Sequence, residues 1–131
     1  MIHGKGIFID LSKNKITELT LQPSIVERFL GGNGIGAYLM YQYVKTQDAS
    51  SPDNWLIFVP GVLNGSTFPM TSKCGFFGLS PLTGAFGESY FGASLGVSLK
   101  SRGYDFIAVT GRCDGLSYIL MDDRCSVEKA P

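Results

Sequence analysis

Four glycines within six residues, Gly31-Gly32-Asn33-Gly34-Ile35-Gly36, limit the possible folds more than any other stretch of this chain. Glycine readily closes a helix, and such a run separates what lies on either side of it. On the N-terminal side, Pro23 precedes Ser24-Ile25-Val26-Glu27. There the serine hydroxyl and the glutamate carboxylate can cap free amides at a helix start, and a short helix is expected to run to about Leu30. On the C-terminal side, residues 37–45, with Tyr38, Leu39, Met40 and Tyr41, return to a helical pattern. The expected unit is helix, glycine loop, helix.

Strand signals surround it. Residues 6–11 and 16–21 alternate apolar and polar side chains across Ser12-Lys13-Asn14-Lys15, which predicts a β-hairpin. Residues 46–54 are polar and carry Pro52, as a surface connection would. Residues 55–59 read as a buried strand, 61–70 as an ordered loop and 76–79 as another strand. Residues 80–96 are rich in glycine and read as turns, followed by one or two helical turns over 95–101. Residues 104–110 and 116–121 flank Gly111-Arg112-Cys113-Asp114-Gly115, a second hairpin signal. The tail from Asp122 shows no usable pattern. The prediction is an α+β fold, β-rich with hairpins and a few short helices, in a single domain spanning 1–131.

Composition excludes several functions. Lys plus Arg equals Asp plus Glu at 11 each, so no field gathers nucleic acid or anionic lipid. No signal-peptide pattern or membrane-length apolar run occurs, and a cytoplasmic protein is expected. Charged residues are only 17% against 44% hydrophobic, which suggests surface reserved for a partner. Cys74, Cys113 and Cys125 match neither a metal clamp nor a closed disulfide set. His3 is the only imidazole, so a histidine-based catalytic or metal site would have to be completed elsewhere.

The glycine run fails the G-x-G-x-x-G spacing and follows a helix rather than a strand, and Gly61-Val62-Leu63-Asn64-Gly65 lacks the lysine of a phosphate loop. What remains is Lys73 with the glycine-rich stretch 80–93. A cation beside a backbone low in side-chain bulk suits a large phosphate-bearing cofactor; the same glycines can equally serve only tight turns. Cys74 beside Lys73 is either an activated thiolate or a small buried hydrophobe. Glu88 is either a general base or a solvated or amide-capped carboxylate.

Four ordered segments resemble one family. Phe29-Leu30-Gly31-Gly32-Asn33-Gly34-Ile35-Gly36-Ala37-Tyr38-Leu39 resembles the FLGGRGLGAYLL signature of the aldehyde ferredoxin oxidoreductases. Trp55-Leu56-Ile57-Phe58 with Gly61, Leu63 and Gly65 is similar to their PLIFATGPLTGT segment, Ser80-Pro81-Leu82-Thr83-Gly84 to SPLTG, and Gly103-Tyr104-Asp105 with Gly111-Arg112 to GYDGLVIRGR.

The resemblance implies a truncated form of the family's N-terminal pterin-binding domain, the first half and a little more. That domain is a saddle for a tungsten or molybdenum bis-pterin cofactor, with magnesium between its phosphates. In the family an aldehyde is oxidised to a carboxylate there, and electrons pass to ferredoxin through a 4Fe-4S cluster held by C-terminal domains absent from this sequence. By the same resemblance, Lys73 stands for a pterin-contacting arginine and Tyr90 for an asparagine whose backbone helps hold the magnesium. Gly92 matches a pterin-contacting glycine, and Asn33 replaces an arginine. No catalytic residue and no direct metal ligand carries over, so the isolated chain is expected to be inactive and to bind no cofactor. An uncovered apolar face predicts self-association as a homodimer. The alternative is a stand-alone, non-catalytic binding or interaction module on the same fold.

Overall fold

The computed structural model describes residues 2–92, 94–122 and 124–131. Its centre is a six-stranded mixed sheet, in the order β2-β1-β6-β3-β4-β5. The strands are β1 (Lys5–Asp10), β2 (Lys15–Thr20), β3 (Leu56–Pro60), β4 (Lys73–Leu79), β5 (Phe86–Gly92) and β6 (Phe106–Thr110). Helices α1 (Pro23–Phe29) and α2 (Asn33–Tyr43) follow the first hairpin, and α3 (Ser94–Ser101) joins β5 to β6. Strands β7 (Ser117–Met121) and β8 (Cys125–Lys129) form a separate antiparallel pair.

Alternation along the strands builds two cores. Phe106, Ala108, Ile57, Val59 and Phe77 face α2 and pack with Ile35, Leu39 and Met40. Their neighbours Ile107, Phe58 and Cys74, with Ile7 and Ile9, face Leu99 of α3 and Met121, Cys125 and Val127 of the β7–β8 pair. A sheet covered on both faces wants apolar residues in succession, which is why β3 and β6 read as continuous hydrophobic runs. The fold class is the one expected from sequence.

Several elements differ in detail from expectation. Helix α1 starts at Pro23 with Gln22 as its N-cap and no side-chain cap bond, so the Ser24–Glu27 box does not form. Gln22 is held extended by the following proline, and proline suits the first helical position. The linker between α1 and α2 is only residues 30–32, and Gly34 and Gly36 lie inside α2. A Cβ at Gly34 would strike the Phe29 carbonyl and one at Gly36 the Phe77 ring, so these glycines let the helix sit close rather than end it. Residues 86–92, expected as turns, form edge strand β5. The second hairpin is also reassigned: β6 lies between β1 and β3, while β7 pairs with β8 from the tail.

The motif Gly103-Tyr104-Asp105 is structural. Gly103, at φ +81°, ends α3 in a Schellman arrangement, its amide bonding the Lys100 carbonyl and that of Tyr104 the Leu99 carbonyl. The Tyr104 hydroxyl meets Glu18, whose carboxyl is held below the usual range first by Lys5 and then by that hydroxyl. The buried Asp105 carboxylate accepts the amides of His3 and Gly4 at 2.7 and 2.8 Å and pairs with the Lys100 ammonium at 2.7 Å. Asp105→Ala removes all three bonds and strands a nearly buried ammonium. We expect a loss of about 3–5 kcal/mol in urea unfolding; a change below about 1 kcal/mol would contradict this account.

Candidate functional site

Lys73, which precedes Tyr90 by 17 residues and Gly92 by 19, meets both on one face of the β4–β5 ladder. Lys73 lies directly opposite Gly92, Gly75 opposite Tyr90, and Phe77 opposite Glu88. Phe77 belongs to the core under α2, so period-two alternation puts Lys73, Tyr90, Glu88 and the bare Gly92 position on the α2 side. Lys73 is exposed and forms no ion pair among the described residues. A Cβ added at Gly92 would find only the Ser72 hydroxyl, at 3.9 Å, so this backbone is open to an approaching molecule.

A side-chain cluster that sequence reading did not assemble borders this strip. Asn33, the first residue of α2, donates from Nδ2 to Glu88 Oε2 at 2.6 Å and to the Tyr90 hydroxyl at 2.9 Å. The Tyr90 hydroxyl in turn donates to Glu88 Oε2 at 2.9 Å. Partial burial, and then the Glu88 carboxylate, push the Tyr90 phenol above its usual range. Glu88 is therefore an amide- and hydroxyl-capped carboxylate, one of its two expected readings. Asn33 and Tyr90 are 57 positions apart, and only the glycine-rich shape of the α2 start could have hinted at their meeting.

Cys74 resolves to the buried reading. It is 1% exposed, and burial raises its thiol pKa above the usual value, against the lowering effect of Asn64 and the Gly96 amide. Asn64 Nδ2 also bonds the Lys73 carbonyl at 3.1 Å, tying the loop after β3 to the start of β4. No group of three or more His, Cys, Asp or Glu side chains among the described residues could hold a metal ion. No helix among them is long and apolar enough to cross a membrane. An apolar groove of about 500 Å³, lined by Phe58, Phe76, Leu95 and Met121 among others, lies on the opposite face of the sheet.

A sequence profile described as "Aldehyde ferredoxin oxidoreductase, N-terminal domain" matches residues 6–131. The chain belongs to this family. It is 34% identical over 121 residues to the tungsten-containing aldehyde ferredoxin oxidoreductase of Pyrococcus horikoshii, covering 92% of this chain and 20% of that protein. It is 28% identical over 123 residues to the WOR-like subunit of an aliphatic sulfonate oxidoreductase of Pyrococcus furiosus, covering 91% and 19%. In structure it matches a chain of the BamBC active-site complex of benzoyl coenzyme A reductase, solved with 1,5-dienoyl-CoA. That match has a TM-score of 0.92 and 28% identity, over 98% of this chain and 20% of that one. The chain thus spans about one fifth of the length of these relatives.

Two predictions separate glycines and thiols by role. Gly92→Ala should leave stability within about 0.5 kcal/mol, whereas Gly36→Ala, which drives a methyl into Phe77, should cost about 1–3 kcal/mol; equal effects in thermal unfolding would refute the distinction. Cys74 should resist iodoacetamide at pH 8 in the native state, because a raised thiol pKa leaves less thiolate than an ordinary cysteine holds there. Rapid native alkylation mapped to Cys74 by mass spectrometry would overturn its buried assignment.

Proposed function

We propose that the α2 side of the β4–β5 ladder is a platform for a tungsten or molybdenum bis-pterin cofactor, and that this chain is the cofactor-bearing portion of an oxidoreductase acting on aldehydes. The observation that carries the reading is the Lys73 cation, in no ion pair among the described residues, directly across from the open Gly92 backbone, in a chain whose relatives include proteins named as tungsten-containing.

The residues fit such a group. The Lys73 ammonium would meet phosphate as a point charge, with less orientation than a guanidinium fork provides. Gly92 would admit the cofactor to backbone distance, and the Tyr90 carbonyl would help hold its magnesium. The bound metal would supply the two-electron chemistry that converts an aldehyde and water into a carboxylate. The protein's part would be to bind and orient it. Acid–base residues, a 4Fe-4S cluster and the contact with ferredoxin would belong to further domains, in a cytoplasmic enzyme, and the 131-residue chain alone would not turn over.

Produced anaerobically in cells supplied with tungstate and molybdate, the natural gene product is expected to contain one of these metals and pterin, measured by elemental analysis and by fluorescence of the oxidised pterin. Lys73→Ala should lower affinity for the phosphate-bearing cofactor about tenfold or more, the loss of a charge-assisted contact. A well-folded product holding neither metal nor pterin would refute the assignment.

A further inference from the structure

Tyr90 is held unlike an ordinary surface tyrosine. About half of the residue is exposed, yet its hydroxyl has protein partners: it is bonded to Glu88 and Asn33, both at 2.9 Å. The ring also meets Phe77 edge-on, at 6.2 Å between centroids and 83° between planes. A side chain fixed at its tip and along one edge has little rotamer freedom left to lose, and an aromatic ring held this way offers a ready stacking partner. Its neighbours on this face keep the space clear. Gly75 lies opposite and its side-chain volume is taken by the Phe77 ring, while Gly92, two residues along β5, has open space in front of it. Lys73 sits diagonally across the ladder, which puts its Cβ roughly 7–8 Å from that of Tyr90.

We propose that Tyr90 is a positioning residue whose pinned ring takes the flat heterocycle of a phosphate-bearing ligand, with the bare Gly92 backbone as floor and Lys73 as the phosphate end. This assigns a role to the Tyr90 side chain itself, separate from any backbone contact, and it rests on the platform reading above. The Asn33–Glu88 pair acts through Tyr90 by fixing where the ring stands.

Two probes divide the strip into its halves: 6-hydroxymethylpterin, a ring without phosphate, and inorganic pyrophosphate, a phosphate without ring. Binding to the natural gene product freed of cofactor, at millimolar probe, would be followed by ligand-observed NMR, with ring-current shifts of the pterin proton as the signature of stacking. Tyr90→Leu should weaken the pterin about three- to tenfold and leave pyrophosphate unchanged, and Lys73→Ala should do the reverse. Tyr90→Phe and Glu88→Ala, which keep a ring but release it, should give intermediate losses and smaller ring-current shifts, and they carry the test if Tyr90→Leu does not fold. Pyrophosphate binding that depends on Lys73, together with pterin binding indifferent to every Tyr90 and Glu88 variant, overturns the inference and leaves the platform standing. Binding of neither probe at β4–β5 overturns both.

Discussion

Everything in this fold hangs on the parallel pairing of its first and sixth strands. β1 and β6 lie side by side from Gly6 against Phe106 to Asp10 against Thr110, about one hundred residues apart in the chain. Parallel neighbours need a long crossover, and here the crossover is almost the whole domain. The Asp105 carboxylate locks this pairing at its open end by taking the two amides that precede β1 and the ammonium of α3. Gly6 permits the close contact, since a Cβ there would strike the Phe106 ring. Because β6 also pairs with β3, the same strand joins the N-terminal hairpin to the half of the sheet that carries Lys73 and Tyr90.

Local chemistry was readable in the sequence where local chemistry decides. The first hairpin, the apolar run of β3 and the polar connection before it all followed from residue type and spacing. Reading failed where a distant neighbour set the outcome. Gly34 and Gly36 read as a loop because their reason to be glycine lies at Phe29 and at Phe77 of β4. Residues 86–92 read as turns because an edge strand with most side chains exposed shows no clean alternation of burial. β7 was assigned to the wrong partner because β6 is bought out of hairpin pairing by two other strands, a fact of topology that no turn residue announces.

The candidate site was legible in a different way. Composition suggested only a cation near a flexible backbone, and family resemblance selected Lys73, Tyr90 and Gly92. The structure places the three within two rungs of one ladder. What neither route found was the contribution of α2, whose first residue reaches β5 through Asn33. Relatives named for tungsten and for a sulfonate match this chain in sequence, and a chain of a benzoyl coenzyme A reductase complex matches it in structure, each over about one fifth of its length. One fold can thus stand in proteins named for different substrates.

The tie from Asn33 to Glu88 and Tyr90 also bears on how the molecule opens. β5 is an edge strand with one hydrogen-bonded neighbour, and such strands ordinarily fray independently of the core. Here the strand is fastened over β4 to the first turn of a helix whose other turns are buried against β3 and β4. The rim of the sheet is therefore coupled to the start of α2, so the Ser89 amide, which faces β4, shares the exchange behaviour of the first bonded amide of the helix, that of Gly36.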